Sequence, residues 1–510
     1  MTRLLGGVIV FCALSPFPVP ALAQIAHPLS PSREASLEKG INLFEEKRYA
    51  QARDELLRAV RADPRSARAF FYLGLTELQL GDVSSAAESF RQSTALDPQS
   101  SNAFYNLGVL LLENKKAREA IPYLERANQL GPASAALSVN LVRAYLRAGE
   151  TDHAVEVART SAARFRDLPS FHLGAGEAFL DQGLSSQARG FLEEANRLAP
   201  SELEIVLPLA EVYLRQRDPG RALAALHTIE KKAQRIAQYH YLLAQSYFEA
   251  DQIPSGKTAA DRPEEQLATS ERTFSEIDQA IRLDPQNPLY LLTLGRFYQK
   301  DGRQQKALNI LEQAESLSPK LPDVPYSIAV SYLIAGDFQR TKEYVQRALA
   351  LDPAYDRAVF LLGISDFALF RYEDAERVLV EALRLNPKNH YGECFCGMVL
   401  LSEEKLAEAE KHLRRSLALE PSYALAHYQL GRLLAREGHD ETARTELEQA
   451  IALEPNLYEA YYPLGHVLER LGHKAEAAQA LQTFQRYRAT SYSEGQELLR
   501  QMRDAIQNQP

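Results

Sequence analysis

Residues 284–455 carry a dipeptide ending in proline at a fixed spacing of 34 residues. The six copies are Asp284-Pro285, Ser318-Pro319, Asp352-Pro353, Asn386-Pro387, Glu420-Pro421 and Glu454-Pro455. The same period continues upstream at Pro64, Pro98, Pro132 and Pro200. Pro200 and Pro285 are separated by two periods and 17 further residues, so one insertion accounts for the break in register. Self-similarity at one period of this length is typical of a solenoid of stacked supersecondary units.

Two more features recur when each unit is numbered so that its proline is position 32. Position 8 is Gly or Ala in nearly every unit, as in Gly74, Gly295 and Gly363, with Val142 as the exception. Position 20 is usually Ala, and position 24 is bulky and apolar in many units, as in Phe90 and Leu311. Small residues let two antiparallel helices approach closely, and large ones fill the space beside them. Each unit is therefore predicted to be a helical hairpin.

The run Leu294-Gly295-Arg296-Phe297-Tyr298, followed by Ala307 and Pro319, resembles the tetratricopeptide repeat (TPR). The resemblance extends over residues 33–491 and implies an all-α, right-handed α-solenoid of about 13 helix-turn-helix repeats. A turn such as Ala335-Gly336-Asp337 separates the two helices, with Gly as a helix stop, and the proline ends the second helix. The family's tryptophan at position 4 is absent, and Glu393 and His427 occupy that position without an aromatic substitute.

The period predicts the boundaries. Repeats one to six occupy residues 33–236, and repeat seven spans 237–287 with an inserted loop near 251–269. Repeats eight to thirteen occupy residues 288–491. In residues 492–510 the side chains of Leu498, Leu499, Met502 and Ile506 recur at helical spacing. We expect a C-terminal capping helix there, covering the apolar face of the last repeat.

Residues 1–23 are interpreted as a signal peptide, because Arg3 precedes a short apolar run and Ala21-Leu22-Ala23 supplies a small-residue cleavage site. The alternative, an uncleaved anchor, is disfavoured because the run is too short to span a bilayer. Residues 24–32 are then a linker, and no transmembrane helix is expected after cleavage. We therefore expect an exported protein of bacterial type, periplasmic or secreted.

The repeats leave no room for a separate catalytic domain, and no metal, cofactor or catalytic residue is expected. H-E-x-x-H and G-x-S-x-G are absent, and Ser255-Gly256-Lys257-Thr258 lacks the first glycine of a phosphate-binding loop because Asp251 stands there. The net charge of −9 argues against a nucleic-acid partner. Cys394 and Cys396 fall two residues apart on a predicted helix, so no disulfide is expected between them.

By the same resemblance, positions 2, 5, 9, 12 and 13 of the first helix line a concave groove. In repeats nine to eleven position 9 becomes apolar, with aromatic neighbours and flanking arginines. An apolar patch rimmed by charge suits a peptide or protein partner. The alternative is that neighbouring repeats bury these side chains. The candidate site comprises Tyr326, Val330, Arg357, Phe360, Ile364, Phe367, Tyr391, Met398, Arg432 and Arg436.

These features together favour a non-enzymatic protein–protein interaction scaffold that binds partner proteins or peptides along its groove in an envelope or extracellular compartment. The alternative is an accessory, substrate-recruiting subunit of an envelope enzyme or secretion complex. Co-purification with an enzyme activity would separate these two hypotheses. Nothing in the sequence indicates an oligomeric state.

Overall fold

The computed structural model describes residues 31–251, 264–490 and 494–507, and in these ranges the regular structure is helical, without strands. The predicted signal peptide, most of the 24–32 linker and the Ser255–Thr258 segment lie outside the described residues. Residues 31 and 32 of the predicted linker already belong to the first helix. The chain forms two compact units, Met1–Gln216 and Arg217–Pro510.

The described part of the first unit contains eleven helices: α1 Pro31–Glu45, α2 Tyr49–Ala62, α3 Ala67–Gln79, α4 Val83–Leu96, α5 Ser101–Glu113, α6 Ala117–Leu130, α7 Ala135–Ala148, α8 Thr151–Arg164, α9 Pro169–Asp181, α10 Ser185–Leu198 and α11 Leu203–Arg215.

The second unit is described as α12 Pro219–His227, α13 Glu230–Ala233, α14 Ala237–Asp251, α15 Glu264–Leu283, α16 Pro288–Lys300, α17 Gln304–Leu317, α18 Asp323–Ile334, α19 Phe338–Leu351, α20 Asp356–Ala368, α21 Tyr372–Leu385, α22 His390–Ser402, α23 Leu406–Leu419, α24 Ala424–Glu437, α25 Asp440–Leu453, α26 Tyr461–Arg470, α27 Lys474–Thr490 and α28 Glu494–Gln507. A short 3-10 helix, Tyr458–Ala460, precedes α26, since Pro463 lacks the amide hydrogen that would continue an α-helix backwards.

Within each unit the helices pair as hairpins and stack on the next hairpin, which confirms the predicted all-α solenoid. Two boundaries differ from the prediction. The second helix of repeat six is broken into α12 and α13. The insertion in repeat seven is shorter as a loop than 251–269, because residue 251 ends α14 and residues 264–269 already belong to α15.

The contact between positions 8 and 24 sets the spacing inside each hairpin. A Cβ atom placed on Gly363 would lie 2.7 Å from Cγ of Leu379, and the same conflict recurs at the equivalent glycines of other repeats. Repeat four reverses the sizes: Val142 occupies position 8 and Ala158 position 24, and both are fully buried. The two positions therefore share one fixed volume, which either partner can fill.

The turn between the two helices needs a left-handed residue at position 15. Seven repeats place Gly there, as at Gly336 with φ of 76°, which confirms the predicted helix stop. Others place a side chain in the same conformation, and Phe370 does so with φ of 59°. The Phe370 ring is 76% exposed and makes an edge contact with Tyr372. Burial of the Phe370 side chain therefore offsets little of the steric cost that an L-residue has in the left-handed conformation.

We predict that Phe370→Gly stabilises repeat ten by about 1 kcal/mol, because the left-handed conformation costs a non-glycine residue about 1–2 kcal/mol and glycine loses part of that gain to unfolded-state entropy. The matched control is Leu369→Gly. Leu369 has a negative φ of −87°, which leucine adopts without steric cost, so glycine should destabilise the protein there. Thermal unfolding of the three proteins tests this. Equal destabilisation by both changes would contradict it.

Position 4 carries a second recurring contact, which the repeat pattern in the sequence did not reveal. His240 and His427 each place Nδ1 beside a carboxylate at position 23 of the second helix, 2.5 Å from Glu276 and 2.6 Å from Glu446. Repeat eleven inverts the pair: Glu393 at position 4 is fully buried and its Oε2 lies 2.7 Å from Nδ1 of His412. A contact between histidine and a carboxylate within the hairpin thus occupies the place of the missing aromatic at these repeats.

Candidate partner groove of the second unit

The first helices of repeats nine to eleven are buried on more than one side. Every residue from Val324 to Ser331 in α18 is buried, and so is every residue from Gly392 to Leu400 in α22. A helix that is apolar all round must be covered by several neighbours. Pairing with the second helix of the hairpin and stacking on adjacent repeats cover part of this surface.

The C-terminal helix α28 covers another part. It packs against α18 and α20, the first helices of repeats nine and ten. Its buried residues Met502, Ala505 and Ile506 belong to one continuous apolar cluster with the groove residues of α18, α20 and α22. The predicted capping helix therefore forms, but its expected position over the last repeat is wrong. Local spacing revealed the apolar face of α28 but not the surface it covers.

Polar contacts orient α28 in this groove. Arg500 Nη1 lies 2.7 Å from Oε1 of Glu454, at the end of repeat twelve. Burial raises the pKa of the Tyr391 phenol, and the nearby Asp504 carboxylate raises it further. Burial raises the pKa of Tyr423 too, with Asp504 among the charges that add to it. The charge of Asp504 in α28 therefore acts on two phenols, one at the start and one at the end of repeat eleven.

The structure brings the apolar members of the candidate site into this one cluster. Five are buried, with exposed fractions between 0 and 8%: Tyr326, Val330, Phe360, Ile364 and Met398. Phe367 and Tyr391 are half-buried. Contact between repeats explains some of this burial, since the Phe360 and Phe395 ring centroids lie 5.9 Å apart. Burial by neighbouring repeats, the predicted alternative, thus explains part of this burial, and α28 packs on the two helices, α18 and α20, that carry Tyr326, Val330, Phe360 and Ile364.

The three candidate arginines differ in their surroundings. The Arg357 guanidinium lies 5.2 Å above the Tyr326 ring and is half-buried. Arg432 is exposed, donates a 2.9 Å hydrogen bond to Gln429 and stands over Tyr428. Arg436 is exposed and lies 3.7 Å from Glu404. The structure therefore leaves two arginines available at the solvent side and places one within the packed part.

No cluster of His, Cys, Asp and Glu suited to holding a metal ion occurs among the described residues. Across residues 31–251, 264–490 and 494–507, none of the helices combines the length and apolarity required to cross a bilayer. Cys394 and Cys396 are buried free thiols, as expected from their spacing.

Models of known protein families match much of the chain. Tetratricopeptide repeat models match residues 37–101, 74–135, 111–174, 179–246, 289–321 and 332–392, and a TPR repeat model matches residues 431–472. Together these ranges include more than half of the chain. No curated protein sequence matches it. Among solved structures, a chain of the APC/C hetero-tetramer Cut9–Hcn1 is similar, with a TM-score of 0.46 and 15% identity over 93% of this chain and 97% of that one.

Proposed function

Because the chain belongs to the tetratricopeptide repeat family, whose members are protein-interaction scaffolds, we propose that it binds partner proteins in the groove formed by repeats nine to eleven. The single observation that carries the proposal is that this groove already holds a helix, α28, by its apolar face. Aromatic and aliphatic side chains supply the contact area there, and Arg432 and Arg436 supply charge at the solvent side. Such a combination is suited to protein recognition.

We further propose that this scaffold acts in an envelope or extracellular compartment of a bacterium, on the basis of residues 1–23 alone. Mass spectrometry of the protein from its native host tests the compartment. An N-terminus at Gln24 in an extracytoplasmic fraction would support it, and a chain retaining Arg3 in the cytoplasm would contradict it.

The burial of Ile364 decides how partner binding should be tested. Ile364 is fully buried, so Ile364→Glu would place a charge in the core and destabilise the fold whatever the groove binds. A loss of binding by that variant would say nothing about the groove. The informative changes are on the exposed arginines, which can be reversed in charge while the apolar packing is retained.

We predict that Arg432→Glu combined with Arg436→Glu reduces capture of groove partners at least tenfold in crosslinking pull-downs from the native envelope, since interface charge reversals commonly cost several kcal/mol through like-charge contact. The control is Arg414→Glu with Arg384→Glu, which reverses two exposed arginines on second helices. Crosslinked peptides identified by mass spectrometry should map to the first helices of repeats nine to twelve. Equal capture of partners by the parent, by the Arg432→Glu and Arg436→Glu double variant and by the control would contradict the proposal.

A further inference from the structure

The helix α28 has the features of a bound ligand rather than of a repeat. Each repeat helix is held by its hairpin partner and by the adjacent hairpins, whereas α28 packs mainly on α18 and α20. Its chain partner α27 belongs to repeat thirteen, far along the array from repeats nine and ten. The hairpins beneath it are complete without it, so its departure would expose the groove and leave their pairing intact.

The helix α28 has one buried, apolar face and one exposed face. Met502, Ala505 and Ile506 are buried, and Leu498 packs at the edge of the same cluster, so these positions form one apolar stripe at helical spacing. Leu499 reaches the turn at Gly336. On the outer face Arg503 is exposed. This division is that of an amphipathic helix in a groove, a recognition mode with anchors at i, i+4, i+7 and i+8.

The polar contacts add specificity to the apolar ones. The Arg500 guanidinium of α28 lies 2.7 Å from the Glu454 carboxylate, while burial and then the Asp504 charge raise the pKa of the Tyr391 phenol. A helix that enters the groove in the same orientation therefore needs a base that faces Glu454, and α28 follows that base with an acid one turn later. In α28 these two residues also lie 3.3 Å from each other, an i,i+4 pair that favours the helical state.

We propose that the partner recognised by this groove presents an amphipathic helix with the pattern of α28, and that α28 is a tethered competitor which the partner must displace. This inference rests on the proposed function. The required pattern is apolar residues at the places of Leu498, Met502 and Ile506, with a basic residue at the place of Arg500 and an acidic one at that of Asp504. A tethered helix acts at an effective concentration of about millimolar, so it excludes weaker free helices.

The test uses the full-length chain and a fluorescein-labelled peptide with the sequence of residues 494–507. Fluorescence anisotropy measures peptide binding to the parent, to Met502→Glu, which places a carboxylate in the buried stripe, and to the control Arg503→Glu, which adds the same charge on the exposed face. We expect the Met502→Glu chain to bind the peptide at least about 100-fold more tightly than the parent or the control, because its own helix no longer competes. A peptide with scrambled apolar positions should bind none of them.

Hydrogen exchange on the parent chain gives a second measurement that does not depend on any variant folding. The amides of residues 494–507 should exchange at least tenfold faster than those of α18 and α20, since a displaceable helix opens without unfolding the repeats. Exchange as slow as in α18 would make α28 a permanent part of the core and would overturn the proposal.

The outcomes separate this inference from the proposed function. Failure of the peptide to bind the folded Met502→Glu chain would overturn the inference, while the loss of partners in the arginine variants could still support the scaffold. Tight peptide binding together with unchanged partner capture by parent, Met502→Glu and arginine variants would mean that the groove serves only its own helix, and the proposed function would fail. A dimer that exchanges α28 between chains would assign the groove to a second copy and contradict the proposed partner.

Discussion

Gly363→Val is expected to destabilise the second unit by about 3 kcal/mol or more, at the upper end of the range for bulk inserted into a packed core. The Cβ atom alone would lie 2.7 and 2.8 Å from Cγ and Cδ2 of Leu379, and valine adds two methyl groups beyond it. Leu379 is fully buried, so it has no solvent into which it could move. Circular dichroism during thermal and urea unfolding would detect the loss.

Repeat four indicates how this damage can be repaired. There Val142 and Ala158 fill the volume that glycine and leucine fill in repeat ten. Leu379→Ala alone should cost about 2–5 kcal/mol as a cavity. The double variant Gly363→Val with Leu379→Ala should nevertheless be more stable than Gly363→Val alone, with a coupling of about 1–3 kcal/mol between the two sites. Additive losses would show that the two positions do not share one volume.

The damage should also remain local. Repeats in a solenoid contact mainly their neighbours, so disruption of repeat ten should spread to repeats nine and eleven before others. Hydrogen exchange in Gly363→Val should accelerate first in α18 to α23 and least in the first unit. Because α28 rests on α20, its amides should also lose protection. Uniform acceleration along the chain would contradict this localisation.

Replacing the histidine that faces the buried Glu393 of repeat eleven is expected to produce the second large effect. His412→Glu places a second carboxylate opposite Glu393, which is fully buried and now has its Oε2 2.7 Å from the imidazole. Leaving a buried acid without its partner costs about 3–5 kcal/mol. Arg415, whose Nε lies 2.9 Å from the other carboxylate oxygen, limits the loss, so we expect about 2–4 kcal/mol at neutral pH.

The exchanged double variant, Glu393→His with His412→Glu, should recover much of that loss. It recreates the order found in repeats seven and twelve, where histidine stands at position 4 and glutamate at position 23. A coupling energy of about 1–3 kcal/mol between the two changes is expected from a double-mutant cycle. Exchanging an exposed pair, Arg414 with Glu410, is the control and should change stability little. A double variant as unstable as His412→Glu would refute the equivalence of the two orders.

Much of the candidate site could be predicted from the sequence, because the position of each residue within its repeat follows from the 34-residue period. Placing Val330, Ile364 and Met398 at one position of successive first helices required only the 34-residue period. The structure brings them into one buried cluster. Their burial, and hence the unsuitability of Ile364 for a binding test, depends on side chains from other repeats and from α28, which repeat phase does not describe.

The left-handed turn residues also show what the sequence predicts and what tertiary contacts decide, here within a single turn. Glycine at position 15 predicts the turn wherever it occurs, but Phe370 and Glu404 adopt the same conformation without that signal. Their backbone is imposed by the hairpin contacts on either side of the turn. Tertiary structure here overrides the local preference of the residue.

The sequence by itself determined the period, the hairpin in each repeat, the small and large partners inside it and the apolar stripe of α28, because these depend on residues within about one repeat of each other. Only the tertiary structure decided that α28 lies on repeats nine and ten. That contact joins residues separated by more than a hundred positions, and many faces of a repeat array are apolar enough to receive such a helix. The choice among them depends on how the stacked hairpins of the second unit bring shape and charge to Leu498, Met502 and Arg500, which no periodic pattern encodes.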